Sequence, residues 1–380
     1  MKSHPKVFMQ PAGPADDLRY TELYRQTGGV SLPALPFFAG LWYTVAYPIR
    51  WRCKHMKHVK KKILIALAVL LVILAAALAG VGNYMVNFAI VRSQEHRDVS
   101  PASIVTEENK SAISENRAAI DAQKRAWLSM TKVEKTQITS ADGLTLVGQI
   151  YWNREPGHKW LLGIHGYTGK KEDAENVASF FAQQGYNVLL PDMRAHGESE
   201  GTYIGMGWLD RKDVLQWIDA IVSLDPGAQI ILHGTSMGAA TVMMAAGETL
   251  PANVCGIIED CGYTSVWDIF ADELSYLFGL PTFPVLNVSS LVAQVRAGYS
   301  FKEASALRQL EKATVPILFI HGSEDNFVRT DMVYTLYDAC PTEKELLVVE
   351  DAGHGEAYAM DPELYFDTVF GFIERVCIPE

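Results

Sequence analysis

Ser236 stands in Gly234-Thr235-Ser236-Met237-Gly238, between the strand-forming run Ile230-Ile231-Leu232-His233 and the small residues Ala239 and Ala240. A serine hydroxyl at its ordinary pKa is a poor nucleophile. It needs a base within hydrogen-bond reach, and the base needs an orienting acid. Gly-x-Ser-x-Gly on a strand-to-helix turn holds the serine on a strained bend above a sheet. The same five residues also suit a plain tight turn, so the partners decide between the two. Where this turn carries chemistry, the chain order is Ser, acid, His. Asp325 follows the apolar run that ends at Ile320-His321-Gly322, and His354 is the one histidine beyond it. Glu324 and Asp260 are the competing acids.

Acyl transfer at a serine also needs two fixed donors for the oxyanion. The backbone N–H of Met237, at the start of the following helix, is one candidate. The backbone N–H of Tyr167, just after Gly163-Ile164-His165-Gly166, is the other. Arg194 and His196 lie in a polar loop, 192–199, and are expected to brace it beside the site. His233 and His321 close apolar strands and read as structural histidines. None of these has the spacing of a zinc site, and no metal or organic cofactor is implied.

These residues can meet only if the chain places them on one edge. From about residue 131 short apolar strands alternate with helical stretches. Strands are expected at 160–166, 186–192, 229–234, 254–260 and 315–322, with a last one in the run 345–355. Helices are expected at 173–184, 208–223, 237–249, 330–339 and 362–377. Two further strands flank Ala141-Asp142-Gly143 as a hairpin. The pattern implies an α/β fold, a mostly parallel sheet covered by helices on both faces. Ligands of such sheets bind beyond the carboxyl ends of the strands, where Tyr167, Ser236, Asp325 and His354 all fall. Residues 263–312 interrupt the alternation with an apolar helical insertion, read as a lid.

The rest of the chain is organised differently. Residues 63–82 are twenty uncharged residues, long enough to cross a hydrocarbon core of ~30 Å. Residues 1–92 hold 12 Lys+Arg against 3 Asp+Glu, whereas the remainder holds 21 against 41. Arg50, Arg52, Lys54, Lys57 and Lys60–Lys62 precede the apolar stretch, so the positive-inside rule places the body outside the cytoplasm. The expected organisation is an extension over 1–55 with a Pro-containing apolar segment (30–49) and a basic cluster with a transmembrane signal-anchor over 56–92. A polar linker, 93–130, then precedes the body, 131–380. In the linker Ile113, Ile120 and Trp127 recur every seven residues and predict a stalk helix that docks on the body. Cys255, Cys261, Cys340 and Cys377 could form two disulfides, in three connectivities, if the body lies outside the cell; four buried thiols are the preferred reading, since a core this large needs no staples. No basic patch with interleaved aromatics points to nucleic acid.

The runs GIHGYTG, DMRAHGESEG, LHGTSMGAAT, EDCGYTS, FIHGSEDNFV and DAGHGEAY, in that order, together resemble the α/β-hydrolase superfamily. They look most like its bacterial membrane-anchored Bem46-type serine hydrolases, over roughly 110–378. That resemblance implies a Ser236–Asp325–His354 triad with Tyr167 and Met237 at the oxyanion positions. Arg329 departs from it, standing where relatives often have proline. The implied activity is hydrolysis of carboxylic esters, acyl-chain or lipid-derived ones among them. A small-molecule or lipid-derived acyl substrate and a membrane held through the N-terminal helix are the implied partners. A serine peptidase or aminopeptidase of the same fold is the alternative enzyme, and a non-catalytic surface binding protein the alternative outside catalysis.

Overall fold

A computed structural model describes residues 38–93, 104–155 and 157–377, with the side chains of 38–55 and 57 left out. The extension up to residue 37, and linker residues 94–103, lie outside the described residues. Helix α1 (Phe38–Ala89) runs through 52 residues. No turn separates Phe38–Ile49 from the basic cluster, so the described part of the Pro-containing segment continues into the apolar stretch as one helix. His58–Ala89 is the one helix among the described residues long and apolar enough to cross a membrane. Residues 58–77 of it are exposed on every side. The chain divides into two compact units between Val72 and Ile73, inside α1.

In the unit that begins at Ile73, the end of α1 turns one-sided. Gly82, Val86 and Ile90, four residues apart, are buried, as a helix stripe that meets protein must be. The backbone then stitches to a distant loop. Ile204 N donates to Ile90 O at 2.7 Å, and Arg92 N to Thr202 O at 2.9 Å. Helix α2 (Glu107–Leu128) follows, with Thr106 accepting from Asn109 N as its cap. It docks as expected. Ile113 and Ile120 are buried, Asn116 donates to Ala359 O at 2.9 Å, and the Trp127 ring lies 5.0 Å from that of Tyr151.

The body continues β1 (Lys132–Thr139), β2 (Thr145–Trp152), β3 (Lys159–Ile164), α3 (Glu175–Gln183), β4 (Asn187–Pro191), α4 (Asp210–Leu224), β5 (Gln229–Thr235), α5 (Met237–Ala246) and β6 (Val254–Asp260). Next come α6 (Val266–Phe278), α7 (Thr282–Ala297), α8 (Ala306–Leu310), β7 (Ile317–Gly322), α9 (Asp331–Ala339), β8 (Lys344–Val349), α10 (Ala357–Met360) and α11 (Pro362–Val376). The eight strands order as β1-β2-β4-β3-β5-β6-β7-β8. β1 and β2 form the expected hairpin, β2 and β4 are antiparallel, and the other pairs are parallel. Strand β7 is buried along its whole length and β3 along all but its first residue. Such two-sided burial is what near-continuous apolar runs require, and each fully buried Val, Leu, Ile or Phe contributes about 1.5–3 kcal/mol.

Register aligns the carboxyl ends. Ile164 sits opposite Gly234, Thr235 opposite Asp260, and Gly322 opposite Val349. The loops after β3, β5, β7 and β8 therefore leave the sheet side by side. The insertion expected over 263–312 holds α6, α7 and α8. Arg329 Nε, just beyond β7, lies 3.5 Å from Asp272 Oδ2 of α6 and 3.2 Å from Asp331 Oδ1.

The cysteines depart from the expectation of four thiols. Cys255 on β6 and Cys377 after α11 form a disulfide across 122 residues, with Cα atoms 5.3 Å apart, and Cys261 and Cys340 are buried free thiols. Residues so distant in sequence carry no spacing that would announce the pair. Only the packing of α11 against β6 brings them together.

Candidate active site

The turn after β5 is a strained elbow. Ser236 holds φ 59° and ψ −117°, a positive φ that side chains rarely adopt, at a cost of about 1–3 kcal/mol. Ser236 N donates to Asp260 O at 2.8 Å and Ala240 N returns to Ser236 O at 3.0 Å. The flanking glycines are there for space. A Cβ on Gly234 would strike the backbone of Gly238, and one on Gly238 would strike Ile164 O.

Three loops bring a hydrogen-bonded chain together. His354 Nε2 lies 2.8 Å from Ser236 Oγ, and His354 Nδ1 lies 2.7 Å from Asp325 Oδ2. A carboxylate only accepts, so Nδ1 carries the proton and Nε2 is left to accept from the hydroxyl. Asp325 Oδ1 accepts from Phe327 N at 3.0 Å and Val328 N at 2.9 Å. Burial pushes the Asp325 carboxyl up, but the His354 and His321 rings beside it outweigh burial and hold it at about 2. Neither rival acid takes this place. Asp260 accepts from Tyr365 OH at 3.0 Å, and burial pushes it up to about 6. Glu324 is half-buried on the same loop, and its N–H donates to Ala352 O.

One residue read as structural has a second part. His321 Nε2 lies 2.8 Å from Val328 O and 3.2 Å from Asp325 Oδ2, so its proton is shared between them and it stands behind the acid. Its place at the end of β7, four residues before Asp325, was visible; the turn that folds it back was not. His233 is structural as expected, 3.0 Å from Tyr365 OH.

The loop after β3 is braced from two sides. Met193 N donates to His165 Nε2 at 3.0 Å, and Thr168 N to His196 Nε2 at 3.2 Å. Burial lowers both rings, to about 4 and about 3, so they stay neutral and able to accept. Arg194 forks onto Asp213 (2.7 Å) and reaches Asp142 (3.0 Å). These are the bracing roles the loop residues were expected to have. Met237 opens α5, where helical N–H groups lack helical partners. Tyr167 and Met237 both line the space that Ser236 faces.

That space is an open pocket with mostly apolar walls. The insertion supplies Phe270, Leu274 and Leu286, as a lid over an apolar site would. The end of α1 supplies Met85, Phe88 and Ala89, which sequence reasoning missed. Tyr167 OH donates to Ala89 O at 2.7 Å, using a helix-terminal carbonyl that has no helical partner. Glu273 was also missed. It lines the pocket with Oε2 buried and unbonded, and burial, with Asp272 beside it, pushes it up to about 7. Its place on α6 was readable, but Asp268 and Asp272 lie on the same helix, and only the structure shows that Glu273 is the acid facing the pocket.

A family model described as serine aminopeptidase, S33, matches residues 155–270, and one described as serine hydrolase (FSH1) matches 274–355. The uncharacterized protein YqkD of Bacillus subtilis is 27% identical over 251 residues, 65% of this chain and 82% of that protein. The Pyrococcus furiosus esterase Pf2001 superposes with a TM-score of 0.54 at 25% identity, over 65% of this chain and 93% of its own. A Pyrococcus horikoshii acylaminoacyl peptidase does so at 0.50 and 18% identity, over 65% of this chain and 42% of its own, a likeness of fold alone.

Proposed function

This chain is an α/β-hydrolase, and from that premise we propose that it cleaves carboxylic esters through an acyl-enzyme on Ser236. The observation that carries the proposal is the unbroken hydrogen-bond chain from Ser236 through His354 to Asp325 at the wall of an apolar pocket. His354 Nε2 takes the hydroxyl proton as Ser236 Oγ attacks the ester carbonyl, and Asp325 steadies the imidazolium that forms. The backbone N–H groups of Tyr167 and Met237 receive the developing oxyanion. His354 then protonates the departing alcohol, activates a water, and the acid is released. The pocket wall of Phe270, Leu274, Leu286 and Phe88 suits an acyl chain.

α1 anchors the enzyme in a membrane, with the body on the side away from the basic cluster. Lys60–Lys62 before the apolar stretch support that orientation. The Cys255–Cys377 disulfide supports it too, because such bonds persist in oxidising compartments. Protease added to intact cells then releases the body; full protection would reverse the orientation.

Glu273 favours one second reading. A carboxylate alone in an apolar pocket would pair with the amino terminus of a peptide, as an aminopeptidase requires. A panel of p-nitrophenyl acyl esters and amino-acid arylamides separates the two, with Ser236→Ala as background. Ester turnover above that background is expected. Arylamide turnover alone would replace the esterase proposal, and equal rates in wild type and Ser236→Ala would remove both.

A further inference from the structure

The apolar stretch and the pocket wall lie on one continuous helix. Twenty uncharged residues, 63–82, fill a hydrocarbon layer of ~30 Å at about 1.5 Å per residue. The bilayer surface on the body's side therefore falls near Gly82. It is there that the lid meets α1: a Cβ on Gly82 would lie 2.8 Å from a Val288 methyl of α7. One residue on, Asn83 Oδ1 accepts from Arg296 Nη1 at 2.5 Å, and the Phe88 ring packs edge-on to Phe278 at 5.3 Å.

The outward face of this lid is unlike the rest of the acidic body. Residues 274–295 contain no charged side chain. Yet Phe283, Leu291 and Val295 are 76%, 60% and 80% exposed. Tyr276 on the lid and Tyr84 on α1 are exposed as well, and such amphipathic rings collect at membrane interfaces. An exposed apolar patch marks an interaction surface. Its continuity with the spanning helix at Gly82 selects the bilayer as what covers it.

We infer that the uncharged face of the lid lies in the bilayer interface beside α1, and that the pocket fills from the membrane. This rests on α1 being a span and on the esterase reading. The substrate class is then an ester of a bilayer-resident acyl chain. Met85, Phe88 and Ala89 follow Gly82 by three to seven residues, about 5–10 Å along the helix axis. A chain leaving the hydrocarbon layer thus reaches the wall it shares with Ser236 after a short climb along α1, without crossing water.

The test uses the full chain reconstituted in phosphatidylcholine vesicles. Water-soluble p-nitrophenyl acetate is compared with p-nitrophenyl palmitate carried in the bilayer, for wild type and for Leu291→Glu/Val295→Glu. The acetate rate is expected to stay within about twofold, since both sites are exposed. The palmitate rate is expected to fall about tenfold or more, since charge is expelled from the bilayer. Palmitate turnover that keeps pace with acetate overturns the inference while leaving the esterase intact. Val295→Trp gives a readout independent of catalysis: its added fluorescence is quenched by brominated phosphatidylcholine if the lid lies in the interface. Absence of that extra quenching overturns the inference as well. If wild type hydrolyses neither ester, the esterase reading fails, and the quenching result alone decides the placement of the lid.

Discussion

Two helices of this chain are apolar around their whole circumference, and they have opposite surroundings. All ten residues of α5 are buried between the sheet and its neighbours. In the most apolar stretch of α1 no residue is buried, and Leu64, Leu70 and Val72 are each at least 60% exposed. Burying apolar surface stabilises a folded chain; the protein buries all of α5, whereas α1 is exposed over 58–77. The difference teaches how to read an all-round apolar helix. The ten residues of α5 fit inside the domain, and the thirty-two of His58–Ala89 are long and apolar enough to cross a membrane. The two helices also converge, since Met237 of α5 and Phe88 of α1 line the same pocket. Both add to an apolar wall that the lid completes.

The largest effect expected from breaking this comparison lies at the start of α5. Ser236→Ala should lower kcat/KM for short esters by roughly 10⁴-fold or more, with the fold unchanged by circular dichroism. Next, a charge placed in each helix should separate the two roles. Ala240→Asp buries an unpaired carboxylate at the centre of α5 and should cost at least about 3–5 kcal/mol, enough to leave little folded body. Leu70→Asp should cost about 2.5–3.5 kcal/mol of membrane insertion instead. Its soluble fraction should keep short-ester turnover and thermal midpoint. Equal loss of fold in both variants would erase the distinction.

Two smaller effects sharpen it. Glu273, pushed up to about 7 by burial and by Asp272, is neutral below that pH and charged above it. A charge in the apolar pocket opposes an acyl chain, so KM for long-chain esters should rise several-fold between pH 6 and 8. Glu273→Gln should flatten that rise without moving KM for acetate. Tyr167→Phe removes the donor to Ala89 O, worth about 0.5–1.5 kcal/mol. If α1 steadies the loop that carries the oxyanion donor, kcat falls about three- to tenfold and KM moves less. A change confined to the thermal midpoint would make that bond structural only.

Much of the candidate site was legible because its constraints are local or exclusive. Gly234 and Gly238 are forced by the elbow, and His354 has no competitor downstream of Asp325. The hairpin, the parallel strands and the stalk helix follow in turn from the turn residues Ala141-Asp142-Gly143, from short apolar runs, and from a seven-residue repeat. What stayed hidden depends on contacts between segments far apart in sequence. The stripe Gly82, Val86, Ile90 is readable as one-sided, but nothing in it names the lid as its partner. Asp260 and Asp325 both follow apolar strands, and only Tyr365 OH on the first and His354 on the second tell them apart. Cys255 and Cys377 pair because α11 crosses β6, which no spacing announces.

The central claim is that Ser236 is the group that becomes acylated. The most direct measurement is the mass of the full chain, and of its peptide containing Ser236, after exposure to a fluorophosphonate. The account predicts one covalent adduct on Ser236 in the wild type and none in Ser236→Ala. An unlabelled wild type, or an adduct that persists elsewhere when Ser236 is replaced, would contradict it.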